Sequence, residues 1–417
     1  MMSSNLKLNY AALALAVVFA SCQSNSKKET TGVDSTGTSS YAKGTFDYDL
    51  DFLKQNDSVK VLKSADGAAQ IIVSAKYQAK VFTSTADGLN GRSFGWINYK
   101  TFAADTDSHM NAYGSENRIW LGPEGGKFSL FFKPGAKMAF PDWHTPKAFD
   151  TESWTIVSAD DKKVAMSKDM DLQNYAGTQL KIKVDRDITL LDNAGIESAL
   201  GIKLAADTKA VGFQADNVLT NAGTTEWTQT TGAPCMWNLD MFTPSPKVVI
   251  IIPYNNAKTA KVATTDYFGQ IPPDRIIYKN NVLYFKADGK SRGKLGITPK
   301  RAMPVIGSYD AANNVLTIAK FDIDNNGLYL NQEWRTDREP LSGDAVNAYN
   351  DGPLADGSQM GPFYEIESVS PAAFLKPGAK LQHQHKVFHF TGDKAALSTI
   401  AQKVLGVNLA DVESVFR

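Results

Sequence analysis

FYEIESVSPAAFLKPGAKLQHQHKVFHF, residues 363–390, carries two strand-like runs separated by Pro and Gly. Successive side chains of a strand point to opposite faces, so Glu365 and Glu367 share one side of the first run. In the second run His383, His385, Val387 and His389 fall on one side, and Gln384, Lys386, Phe388 and Phe390 on the other. Neighbouring carboxylates push one pKa upward, which suits a general acid or base on a sugar hydroxyl. Acids on the solvent side of a half-buried strand account for the same pair. The histidines, three of the chain's five, fit a metal site lacking its third ligand, a ligand-facing wall, or a polar outward face beside a buried Phe-Phe face.

The same texture extends outward in both directions. Short β-branched and aromatic runs recur from about Thr45 between Gly, Asn, Asp and Pro: Gln70–Phe82, Arg118–Leu121, Phe128–Phe132, Gln179–Leu191, Lys247–Tyr254, Arg275–Lys286 and Val315–Asp322. Asn280-Asn281 and Asn313-Asn314 sit where hairpin turns tolerate left-handed backbone. Helical patterns are few: Gly195–Leu204, Lys394–Leu405 and a last turn near Asp411–Phe416. One large all-β domain over 45–392 follows, with a C-terminal helical tail at 393–417.

Forty-four Lys+Arg balance 44 Asp+Glu in 417 residues, so the basic excess of a dedicated nucleic-acid binder is missing. Two cysteines cannot build a disulfide scaffold or a four-thiolate zinc site. Residues 1–21 hold one charge, Lys7, and an apolar run Ala11–Ala20, too short for a spanning helix of about 20 residues but suited to an export signal. Phe19-Ala20-Ser21-Cys22 resembles a bacterial lipobox, which implies acylation of Cys22; an ordinary secretory signal is the alternative. Residues 22–44 are polar and read as a flexible tether. The expected location is the cell envelope, on either face of the outer membrane, reached through lipid alone. Cys235 reads as a buried small apolar residue.

Gly122-Pro-Glu-Gly-Gly126-Lys127 is one residue short of a phosphate loop and reads as a hairpin turn. Asp322, Asp324, Asn326, Gly327 and Glu333 satisfy a calcium-loop spacing, but the flanks read as strands where helices are required. A polar turn explains the same residues, so no cofactor is expected and calcium stays the alternative. Trp96, Trp120, Trp143, Trp237 and Trp334 each stand beside a polar side chain, a combination suited to the apolar faces and polar edges of sugar rings.

With ENRIWLGPEGG (116–126), NVLTNAGTTEWTQTTGAPCMWNLDMF (217–242), SGDAVNAYNDGP (342–353) and the opening stretch, the chain resembles the galactose mutarotase-like group of carbohydrate-binding β-supersandwiches, and within it an uncharacterised family of bacterial lipoproteins. The resemblance implies a β-supersandwich with a sugar cleft on the concave face of one sheet. It also implies a carboxylate base, Glu367 first and Glu365 second, working with a histidine acid. The group's middle His-Pro-Tyr-Phe stretch is here Met236-Trp237-Asn238-Leu239, so His144 or His385 is the expected substitute. Arg118, Trp120, Asn350, Glu365 and His383 are the expected ligand contacts. A non-catalytic glycan-binding protein, or a structural envelope protein, is the alternative.

Overall fold

The computed structural model describes residues 41–258 and 261–417, so the leader at 1–21, Cys22 and most of the tether lie outside the described residues. Two antiparallel sheets dominate. The large one has ten strands, in the order Ile276–Lys279, Val282–Lys286, Val248–Pro253, Val305–Asp310, Val315–Phe321, Lys380–Thr391, Lys209–Asn221, Gln179–Leu191, Lys163–Gln173 and Thr155–Ala159. The small one has six: Ala263–Thr264, Gly293–Ile297, Val346–Asn350, Tyr364–Val369, Cys235–Phe242 and Arg118–Gly122. A three-stranded sheet (Lys60–Lys63, Gln70–Ser74, Lys80–Thr85) completes the β-structure.

One apolar core lies between the large and small sheets, joining Ile182, Val184 and Phe213 of the first to Ile366, Leu295 and Ala348 of the second. The result is the expected all-β supersandwich with a short C-terminal helix. Among the described residues four α-helices cover its outside: α1 (Phe46–Asn56), α2 (Asn193–Leu200), α3 (Lys394–Leu405) and α4 (Leu409–Ser414). Leu397 and Ile400 of α3 pack with Ile318, Phe388 and Phe390, so the tail caps the outer face of the large sheet. Asp393 accepts bonds from Ala395 and Ala396 N–H to start α3, and Gly406 ends it at φ 72°.

Four readings are corrected. α1 replaces the strand texture expected after Thr45: Phe46, Leu50 and Leu53 share one helical face, packed on the three-stranded sheet with Ile72 and Phe82. Gln70–Phe82 is two strands with a turn between them, and Phe128–Phe132 is irregular, its rings filling the core without ladder bonds. The histidine strand keeps its predicted parity, but the histidine face does not meet water: His383, His385, Val387 and His389 are buried between the sheets, while on the other face Phe388 and Phe390 lie under α3 and Gln384 and Lys386 stay partly exposed.

A polar network occupies that inter-sheet layer. Ser368 Oγ lies 2.9 Å from His383 Nε2 and 2.8 Å from His385 Nδ1, and His385 Nε2 lies 2.7 Å from Asp240 Oδ2. Asn117 Nδ2 donates to Asp240 Oδ1 at 2.6 Å. The wholly buried Arg186 donates to Ala79 O at 2.9 Å, to Asn217 Oδ1 at 2.6 Å, and to the amide oxygens of Asn117 and Asn238. Burial pushes its guanidinium down to about 9, against the opposing pull of Asp240. His389 is held between Thr317 (2.9 Å) and Glu116 (2.9 Å). Burial, with His385 beside it, pushes His383 down to about 3, so it is neutral at pH 7.

Candidate functional site

Strand alternation sends Tyr364, Ile366 and Ser368 into the core, and Glu365 and Glu367 to the opposite face of the small sheet. That second face is also covered, because loops from 101–112, 140–143, 268, 334 and 360–363 fold over it. They enclose a cleft of about 410 Å³, a size typical of small-molecule sites. Trp120 and Trp237 meet edge to face on the cleft lining, with centroids 5.7 Å apart and planes at 78°. Trp143 and Trp334 stack beside them at 5.7 Å.

Charged groups alternate with these rings. The Arg118 guanidinium lies 4.0 Å from the Trp120 ring, and its Nη2 donates to Glu365 Oε1 at 3.2 Å. Lys294 Nζ lies 4.4 Å from the Trp237 ring and 3.1 Å from Glu367 Oε2, which also accepts from Trp237 Nε1 at 2.7 Å. Burial pushes the Glu365 carboxyl from 4.5 up to about 8; Glu367 reinforces this, and Arg118 and Lys294 oppose it. Burial thus favours the protonated form of Glu365. Glu124, also on the lining, is raised chiefly by burial. Behind Arg118, burial and the Arg118 charge hold Lys80 down at about 7.

Of the residues singled out from sequence, Arg118, Trp120, Trp143, Trp237, Trp334 and Glu365 line this cleft, while Trp96 packs in a separate core cluster. Glu367 is wholly buried beneath it, tied to Trp237 and Lys294, so Glu365 is the carboxyl of the pair that reaches the cavity. His383 and His385 do not join them: they bond Ser368 on the opposite side of the sheet. His144 is half-buried near the mouth, 2.8 Å from Ser108 O through Nδ1, and stacks on His109, which does line the cleft. Asn350 points into the protein, accepting from Gly289 N–H and donating to Ser291 O, both at 2.9 Å. Sequence reasoning missed Glu124, which sits in the turn read as a failed phosphate loop, and Lys294 and Arg292, which lie in no motif. The abundance of Trp beside polar residues was the usable signal.

Cys235 is buried, and burial pushes its thiol up to about 12. Among the described residues no three His, Cys, Asp or Glu side chains cluster to hold a metal. The calcium-like turn spends its oxygens elsewhere. Asp322 Oδ2 accepts from Gln384 N–H (2.8 Å), Asp324 Oδ1 from Asn326 N–H (2.9 Å) and Asn326 Oδ1 from Lys300 (2.6 Å), while Glu333 faces Arg338 at 3.4 Å. Millimolar calcium is accordingly expected to leave the thermal unfolding midpoint unchanged, whereas a site filled only in the folded state would raise it. Among the described residues no helix is long and apolar enough to cross a membrane.

An all-β supersandwich with a loop-covered, aromatic and charged cleft on its smaller sheet is the class that fold and site define. Within it, the chain belongs to DUF6786, a family of unknown function whose model matches residues 44–416. No curated protein matches the sequence. Among solved structures the chain is similar to a candidate aldose 1-epimerase from Escherichia coli K12 (11% identity, TM-score 0.48, covering 80% of this chain and 98% of that one). It is also similar to a galactose mutarotase-like protein from Lactobacillus casei ATCC 334 (11%, 0.47, 80% and 100%) and to the Slr1438 protein from Synechocystis sp. PCC 6803 (12%, 0.47, 81% and 96%).

Proposed function

We propose that the cleft binds a carbohydrate. The observation that carries this reading is the pairing of flat indole faces (Trp120, Trp237) with a hydrogen-bonding frame of Arg118, Lys294, Glu124 and Glu365 in one cavity. A pyranose has apolar C–H faces that stack on such rings and hydroxyl edges that need donors and acceptors around them. Differential scanning fluorimetry against a panel of mono- and oligosaccharides tests it. At least one sugar is expected to raise the midpoint, and Trp120→Ala to abolish that rise; a flat response across the panel sinks the proposal.

Acid/base chemistry at the anomeric centre is the second reading, favoured by the raised carboxyl of Glu365. A proton held to about pH 8 is available for the ring or hydroxyl oxygen of a sugar, and Glu124 is the second carboxyl on the lining. The alternative within this reading is pure glycan binding. Polarimetry of anomer exchange separates the two. Catalysis predicts a rate that falls by roughly 10²–10⁴ in Glu365→Gln, and pure binding predicts no acceleration by the wild type.

The chain is further proposed to be exported and anchored by acylation of Cys22, on the strength of the lipobox-like FASC. Labelling with an alkynyl fatty acid should mark the wild type and not Cys22→Ser. Equal labelling of both proteins would remove this proposal.

A further inference from the structure

The aromatic lining continues past the inner cavity to the protein surface. From Trp120 the ring-to-ring steps are 5.4 Å to Phe131, 5.8 Å to Trp143 and 6.2 Å to Phe140. Phe140 differs from the others because it is 58% exposed while still lining the cleft. This exposed phenylalanine rests against neighbouring rings. It stacks on Trp143 with planes at 21°, and on the His109 ring at 4.5 Å and 24°. His109 is in turn backed by His144 at 4.6 Å and 5°. Both imidazoles are pinned through Nδ1, to Trp143 O (2.6 Å) and Ser108 O (2.8 Å). Met360, 43% exposed, is a second apolar side chain at the same cavity.

Two environments therefore share one cavity. The inner one holds Glu365, Arg118 and Lys294 among buried indoles; the outer one is a flat, water-facing ring held in place by a three-ring stack. A monosaccharide occupying the inner frame leaves the outer ring wet, and Phe140 and Met360 together give a polar cavity an exposed apolar margin, the pattern of a ligand groove that extends past its inner frame. We infer that the cleft has two sugar positions and takes an oligosaccharide, its terminal ring inside at Glu365 and the next stacked on Phe140. This rests on the carbohydrate reading above and specifies its substrate class.

Isothermal titration with matched pairs tests it: glucose against maltotriose and cellotriose, galactose against galactotriose, mannose against mannotriose. The trisaccharide of one series is expected to bind at least tenfold more tightly than its monosaccharide. Phe140→Ala should erase that advantage while leaving monosaccharide binding unchanged, and Phe140→Tyr should retain it; an aromatic contact of the usual size corresponds to about a tenfold change. The exposure of Phe140 keeps folding out of the comparison. Equal affinity for mono- and trisaccharide, with Phe140→Ala silent on both, overturns the outer position and leaves the carbohydrate reading standing. Absence of binding to every sugar overturns that reading and the oligosaccharide inference with it.

Discussion

Arg186→Met is expected to lower the unfolding free energy by about 3–5 kcal/mol, the usual cost of removing one member of a buried charged network. The guanidinium is wholly buried and donates to four acceptors, three of them amide oxygens of Asn117, Asn217 and Asn238. Methionine fills much of the volume but supplies no donor, so those oxygens lose their partners in a dry layer. Asp240 also loses the nearby cation that offsets its charge. Arg186→Lys should restore only part of the loss, because one ammonium cannot span the positions a planar fork reaches. Urea denaturation with unchanged m-value is the measurement. A loss under about 1 kcal/mol would mean that water or repacking satisfies the amides, and that the network does not clamp the two sheets.

The second large effect is a pH dependence at Glu365. Its folded pKa, about 8, lies above the ordinary 4.5, so the folded protein binds this proton more tightly than the unfolded chain does. Stability from this group is therefore highest below pH 4.5, falls as pH rises through the window to 8, and is level above it. Each unit of displacement is worth about 1.4 kcal/mol, so the full fall is on the order of 5 kcal/mol. Glu365→Gln removes the titration and keeps an oxygen for Arg118. The variant should gain on the wild type between pH 5 and about pH 8 and hold level above it, read as the difference between their unfolding free energies. A difference that does not change with pH would show that Glu365 is ionised throughout, and would withdraw its role as proton carrier.

Period-two patterning made much of this architecture readable. Gln179–Leu191 matches its predicted bounds, and the alternation in 363–369 and 380–391 sorted each side chain to the correct face. Alternation tells which residues share a face and not what covers it. Hence the Glu365/Glu367 face, readable as solvent, lies under loops, and the histidine face became an inter-sheet polar layer. α1 escaped because its apolar residues, Phe46, Leu50 and Leu53, are diluted by Asp47, Asp49 and Asp51. In the cleft, residues carried on regular strands, such as Arg118, Trp120 and Glu365, could be nominated. Among those brought by loops, Trp143 and Trp334 were betrayed by their indoles, whereas Glu124, Arg292 and Phe140 were not, since only tertiary folding sets them beside a strand.

Arg118 and Glu365 touch across 247 positions of chain, and the strand that carries Glu365 pairs with both Val346–Asn350 and Cys235–Phe242 at the centre of the small sheet. Chain-closing contacts of this span are slow to form and cannot precede synthesis of the last participating strand. In a nascent polypeptide the cleft therefore lacks Glu365, and Arg118 its partner, until Tyr364–Val369 has been made. No fragment ending before that strand can present the whole cleft lining, so a complete lining reports that the small sheet has closed around its central strand.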